Sequence, residues 1–487
     1  MNKLLKKICS TTLAMAVLAP LQAIEACTTV IVGKGATVDG STMIARNEDM
    51  GTSWPKYFVV RPAGKNKSTK YVSKGNGFSM TIPEERYKMT ATPEWDESEG
   101  TFDEAGINEK GVAMSGTESL EANKKVLEVD PLVKKGIGED SMNSVVLPYI
   151  KSAREGVERL GKIVEKYGAA EGNGVIFSDK DEVWYMEIGT GHQWVAQRIP
   201  DDSYAVIANQ IVIEEVDLDD KDNFLGSKDL IETAKKAGTY KEGEKFNFEK
   251  AYGTNTDADK QYNYPRVWYG QKLLTPSKEQ DLKSYDFPFV LKADKKIGTA
   301  DIEKVLTSHF EGTEYDYQVN KESQLRPASV PQTMESHILQ IRPNMPADLA
   351  GVHWLSLGVP ETSVYVPFYS GITDTPKAYK TGTDNPADDG AYWTFRRVNA
   401  IVSAHFDPFK KKYVQPVQEK AREELAKDLA ETDKEALKIK DKEKRAKFLT
   451  EASEKRADKM LKKWDKLSNK LMKALADETT VYHNPDL

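Results

Sequence analysis

One cysteine survives at the start of this chain, and its surroundings limit what the rest can fold into. Lys3, Lys6 and Lys7 precede the apolar run Ile8 to Ala19, which Pro20 ends. A basic start followed by a short apolar core reads as an export signal, too short to span a bilayer. Residues 1–26 are therefore set apart as signal peptide or propeptide. Of the two cysteines, Cys9 lies inside that segment and Cys27 lies just beyond it. The mature chain then holds one thiol and no internal disulfide, so it must be stabilised by a buried core. At 487 residues, with 39% hydrophobic side chains, it is long enough for that.

Cleavage before Cys27 would place a thiol and an α-amine on one residue. The two groups titrate near each other, at about 8.5 and about 7.7–8.0, so the amine can take and return the thiol's proton. Cys27 is thus the candidate nucleophile. The same residues allow a second reading. Ile24-Glu25-Ala26-Cys27 resembles a bacterial lipobox, in which the cysteine is lipidated and its amine acylated. Export to the periplasm or the medium follows from the first reading, and a lipid anchor from the second.

Thr28 to Val32 is β-branched and predicts a strand. Gly33-Lys34-Gly35 and Asp39-Gly40-Ser41 supply turns, and Thr42 to Arg46 returns as a second strand. This hairpin brings Arg46 and Asp49 back beside Cys27. Residues 51–100 are polar and interrupted by prolines, and Trp54, Tyr57, Phe58 and Trp95 are candidates for either core or cleft. Val157, Leu160, Val164 and Tyr167 recur at helical spacing before Gly168. From Asn173, strands follow one another through short turns as far as Asn209-Gln210. Hairpins and helices in separate blocks predict an α+β fold of stacked antiparallel sheets covered by helices.

Arg266 stands among aromatics in Asn263-Tyr264-Pro265-Arg266-Val267-Trp268, as a stacked surface arginine or as a carboxylate-orienting one. No dinucleotide, phosphate-loop or serine-elbow motif occurs. The six histidines form no H-E-x-x-H and no close pair, so no metal site is expected, and thiol–amine chemistry at Cys27 would require no cofactor. The net charge of −7 argues against nucleic-acid partners. Residues 27–408 form the expected main domain. Residues 409–487 turn to Lys, Glu, Ala, Asp and Leu and predict a charged helical extension with solvated faces.

Together these residues resemble the dipeptidase A-type, secernin-related peptidases among the N-terminal nucleophile hydrolases, which also include bile salt hydrolases and penicillin V acylases. The resemblance spans Cys27 to about Phe406. It implies a four-layer αββα sandwich and hydrolysis of dipeptides by a cysteine-type mechanism, with room for a homo-oligomer. Cys27 matches the nucleophile, and Arg46 and Asp49 match its Arg-Asn-x-Asp partners. Asn209 matches the oxyanion-binding Asn, and Arg266 the site arginine. Asn108-Glu109-Lys110-Gly111 matches a turn of the acylases. Glu118 stands where the acylases carry Asn, which suits a substrate ammonium. His192, in Gly189-Thr190-Gly191-His192, and His337, in Glu335-Ser336-His337, follow the dipeptidase branch and are expected to contact substrate. An N-acyl amidohydrolase using the same nucleophile is the enzymatic alternative.

Overall fold

The computed structural model describes residues 27–478, excepting the side chains of Thr117 and Glu118. The expected signal segment 1–26 and the end of the tail lie outside the described residues.

Two six-stranded antiparallel sheets form the centre. In spatial order, the first runs Tyr204–Ile207, Thr28–Val32, Thr42–Asp49, Thr333–Ile341, Gly351–Leu357 and Val366–Tyr369. The second runs Phe224–Gly226, Trp194–Arg198, Val183–Ile188, Gly172–Ser178, Ala113–Leu120 and Ala105–Ile107. Residues 59–91 form three two-stranded ribbons, so this proline-rich stretch is less irregular than its composition suggests.

Why the central strands read as unbroken apolar runs is clear from their two faces. Alternate side chains of a strand point to opposite sides. Ile31 and Ile44 pack with Ile107, Ile176 and Tyr185 of the second sheet. Their neighbours Val30, Val32, Met43 and Ala45 face the other way, against helical residues such as Val305, Val398 and Leu425. In the second sheet, Val175 and Phe177 pack outward on Val157, Leu160 and Val164 of the helix Ala153–Tyr167. Both faces of the strands Thr28–Val32 and Gly172–Ser178 are buried, so alternation with polar residues is lost there.

The helix Ala153–Tyr167 begins at Ser152, whose side chain accepts from Glu155 N, and stops at Gly168, which has φ 79°. It lies close to the sheet because Gly161 has no side chain. A Cβ there would stand 2.2 Å from the Trp194 ring.

The extension is two helices, Gln415–Ala436 and Lys442–Asp477. Leu449, Met460, Trp464, Leu467 and Leu471 of the second share one core with Val366, Phe368 and Phe395. The charged residues occupy the solvent side, and the apolar stripe covers the strand Val366–Tyr369 and the helix Ala391–Val402. No helix among the described residues is long and apolar enough to cross a membrane.

Candidate active site

Cys27 immediately precedes the strand Thr28–Val32 and is buried. Antiparallel register sets Thr29 opposite Arg46 on one side and opposite Ile207 on the other. The hairpin therefore delivers Arg46 and Asp49 to Cys27, and the strand Tyr204–Ile207 delivers Asn209. Arg46 Nη1 lies 3.5 Å from Cys27 Sγ, and Nη2 donates to Glu104 Oε2 at 2.7 Å. Glu48 and Glu139 each approach Arg46 to 3.9 Å. Burial works against the guanidinium's charge, but Cys27, Glu104, Glu48 and Glu139 outweigh it and raise Arg46 well above its ordinary value. A permanently charged cation beside sulfur favours the thiolate.

Arg266 lies on the helix Tyr264–Leu274, with Pro265 in the first turn, where a missing N–H costs nothing. Its side chain is buried, so the aromatic neighbours do not make it a surface arginine. It donates to the Cys27 carbonyl, to Thr28 Oγ1 at 3.0 Å, to Asn209 Oδ1 at 2.9 Å and to Asn263 Oδ1 at 2.7 Å. With Asn209 Oδ1 engaged, the amide nitrogen of Asn209 is a buried donor without a hydrogen-bond partner. Such a group is costly to bury unless a ligand completes it. Asp49 ion-pairs Arg326, and its carboxyl is raised by burial, with Arg326 opposing.

A cleft of about 400 Å³ opens on Cys27. Its walls carry Glu48, Asp49, Glu94, Glu99, Glu139, Asp140 and Glu171, and no Lys, Arg or His lines it among the described residues. Glu139 and Asp140 occupy the first turn of the helix Glu139–Val146. Burial raises the carboxyls of Glu94, Asp140 and Glu171. A cationic ligand would restore their ionised form.

Five of the residues expected from sequence thus converge: Cys27, Arg46, Asp49, Asn209 and Arg266. The histidines lie elsewhere. His337 pairs in register with Arg46 but is wholly buried, with Nε2 2.9 Å from Ser115 Oγ and Nδ1 2.8 Å from Glu335. Burial, with the nearby Arg46 charge, pushes it well below its usual value and keeps it neutral. His192 sits on a turn with Nδ1 2.8 Å from Asp130, and it does not line the cleft. Glu118 pairs with Gly174 through its backbone, and its side chain lies outside the described residues. Trp54 and Trp95 stack edge-on, while Phe58 is core, and none of them lines the cleft.

The residues that sequence reading did not single out are Glu104, Glu139, Arg326 and Asn263. Each comes from a separate segment, and no local pattern joins it to Cys27. Among the described residues, His309, Glu311 and Glu361 have the composition of a metal site. Lys410 already ion-pairs Glu361 there, so that carboxylate has its cation.

The sequence profile of Peptidase family C69 matches residues 26–420. The chain belongs to this family. This C69 member is 47% identical over 411 residues to a probable dipeptidase of Latilactobacillus sakei, covering 83% of this chain and 87% of that one. It is 40% identical over 393 residues to probable dipeptidase A of Streptococcus pyogenes, covering 78% and 84%. Probable dipeptidase B of Lactococcus lactis is likewise 40% identical over 394 residues, covering 79% and 82%. The match begins one residue before Cys27, and it continues into the helix Gln415–Ala436.

Proposed function

We propose that this peptidase is an exported dipeptidase whose nucleophile is the thiol of an N-terminal Cys27. The observation that carries the reading is Arg46 Nη1 at 3.5 Å from Cys27 Sγ, at the wall of an acid-lined cleft. The two facing sheets, each with helices on its outer side, fit the four-layer αββα sandwich of N-terminal nucleophile hydrolases. The names of the relatives support dipeptides as substrates.

The thiolate attacks the peptide carbonyl, a C–S bond forms, and the carbonyl oxygen becomes an oxyanion. The buried Asn209 amide donates to it. The C–N bond then breaks as the α-ammonium of Cys27 gives its proton to the leaving amine. Water, losing a proton to the same amine, attacks the thioester, and the thiolate is released. Asp49 holds the α-amino group, Arg46 holds sulfur as thiolate, and Arg266 fixes the Cys27 backbone. Glu118 is assigned to the substrate ammonium, as is the acidic lining of the cleft. A free ammonium suits that lining better than the acyl chain of an N-acyl amide.

Intact-mass and N-terminal peptide analysis of protein from its native host tests this. The expected product begins at Cys27 with free amine and thiol, hydrolyses dipeptides, and loses that activity in Cys27→Ala. A diacylglyceryl mass on Cys27, or full activity with residues 24–26 still attached, overturns it.

A further inference from the structure

Arg46 carries one positive charge and, of the four acids it faces, hydrogen-bonds two. Nη1 is 3.5 Å from Cys27 Sγ, while Nη2 donates to Glu104 Oε2 at 2.7 Å. Glu104 precedes the strand Ala105–Ile107 and is 2% exposed, so water cannot substitute for the guanidinium. We propose that Glu104 is a positioning residue that sets the charge state of Cys27 through Arg46, the reactive thiolate forming with Glu104 protonated. The proposal rests on the reading of Cys27 as nucleophile.

A count of the buried charges supports it. Facing Arg46 and Glu104 are Glu48 on the strand Thr42–Asp49, Lys56 and Glu94 from the loops, and Glu139 on the helix Glu139–Val146. Glu335 and the neutral His337 face them from the strand Thr333–Ile341. Apart from Asp49, which pairs Arg326 and is assigned to the Cys27 α-amino group, two cations, Arg46 and Lys56, meet four buried carboxylates, Glu48, Glu94, Glu104 and Glu335, before the thiol is counted. A cluster this buried holds such an excess of negative charge poorly, even with Glu48 and Glu94 at the cleft wall, so some of these acids carry protons. Glu104 is the carboxyl hydrogen-bonded to the guanidinium that faces sulfur, while Glu48 and Glu139 stay at 3.9 Å. Burial, and then Glu48, push its carboxyl up to about 8, against the pull of Arg46 and Lys56.

The charge balance then has one form. With Cys27 as thiol, Glu104 is ionised and pairs Arg46. With Cys27 as thiolate, Glu104 holds a proton, still oriented by its oxygen on Nη2, and Arg46 pairs sulfur. One negative charge is hydrogen-bonded to the guanidinium in both states. The carboxyl also fixes the planar guanidinium, so Nη1 stays aimed at Sγ.

The test follows the alkylation rate of Cys27 by iodoacetamide against pH in mature wild type, Glu104→Gln and Glu104→Asp. The neutral amide removes the competing charge. In Glu104→Gln the thiol is expected to titrate about one pH unit lower, reacting about tenfold faster on the acid side. The acid limb of kcat/KM should shift with it. Glu104→Asp keeps the charge and is expected to titrate near wild type while kcat falls, because the shorter chain lets Arg46 turn. An unmoved titration in folded Glu104→Gln overturns the proposal.

Wild type alone gives a second readout. Infrared difference spectra on alkylating Cys27 should show one carboxyl losing its proton, and no carboxyl change overturns the proposal. Failure of the nucleophile reading looks different, as Cys27→Ala would then keep its activity whatever Glu104 does.

Discussion

The guanidinium of Arg266 donates to Asn209 Oδ1 at 2.9 Å, leaving the Asn209 amide nitrogen buried and without a hydrogen-bond partner. Arg266 also holds the Cys27 carbonyl, so one side chain fixes the nucleophile and the candidate oxyanion donor together. Asn209→Ala is therefore expected to lower kcat by about 10²–10³ with little change in KM. Steady-state kinetics on one dipeptide decide it. A fall of less than about tenfold would assign the oxyanion to other donors.

The acidic cleft sets an expectation for substrate charge. A dipeptide presents an ammonium to these carboxylates, and its N-acetyl form does not. Losing a charge-assisted contact costs roughly 1.5–3 kcal/mol, or about one to two decades of kcat/KM. Raised salt should narrow the gap only slightly, because the cleft is partly dry. The same comparison in Glu118→Gln isolates one carboxylate. Equal discrimination in wild type and variant would remove Glu118 from the ammonium site.

How much of this was legible in the chain depends on sequence separation. The hairpin from Thr28 to Asp49 could be read because β-branched runs and Gly/Asp turns are local signals. The helix before Gly168 could be read from its period. Glu104 could not, since its meaning comes from Arg46, 58 residues away. Arg266 was ambiguous for the same reason: its aromatic neighbours suggest a surface stack, but its partners are Cys27 and Asn209. In the tail, composition obscured the apolar stripe. Leu449, Met460, Trp464, Leu467 and Leu471 are few among lysines and glutamates, and the surface they cover is built by distant strands.

That stripe makes the tail part of the fold's core. Trp464 is wholly buried, with its indole nitrogen donating to the Thr362 carbonyl at 2.8 Å. Trp464→Ala is expected to cost about 3–5 kcal/mol, from lost burial and the cavity left behind. Urea unfolding should show a lower midpoint, and a chain ending before Lys442 should fail to give soluble enzyme. Wild-type stability in Trp464→Ala would make the tail an ornament on an independent domain.

A cluster of the body beside the start of the tail is sensitive to pH. His309 lies 3.2 Å from Glu361, 3.5 Å from Glu311 and 3.0 Å from Asp316, and Lys410, just before the tail helices, also pairs Glu361. Burial alone lowers a histidine. Here the hydrogen bond and charge of Glu361, with Glu311, outweigh burial and the opposing Lys410, raising His309 to about 9. The unfolded histidine titrates at about 6.5. A group with a raised folded pKa stabilises fully below its unfolded pKa, and that contribution is lost as pH rises through the folded one. The contribution of the His309 ion pairs is therefore complete below about pH 6.5 and lost as pH rises through about 9. Melting temperatures of wild type and His309→Gln, measured across that window, should converge as pH rises. A difference that stays constant from end to end would mean that His309 contributes by packing alone.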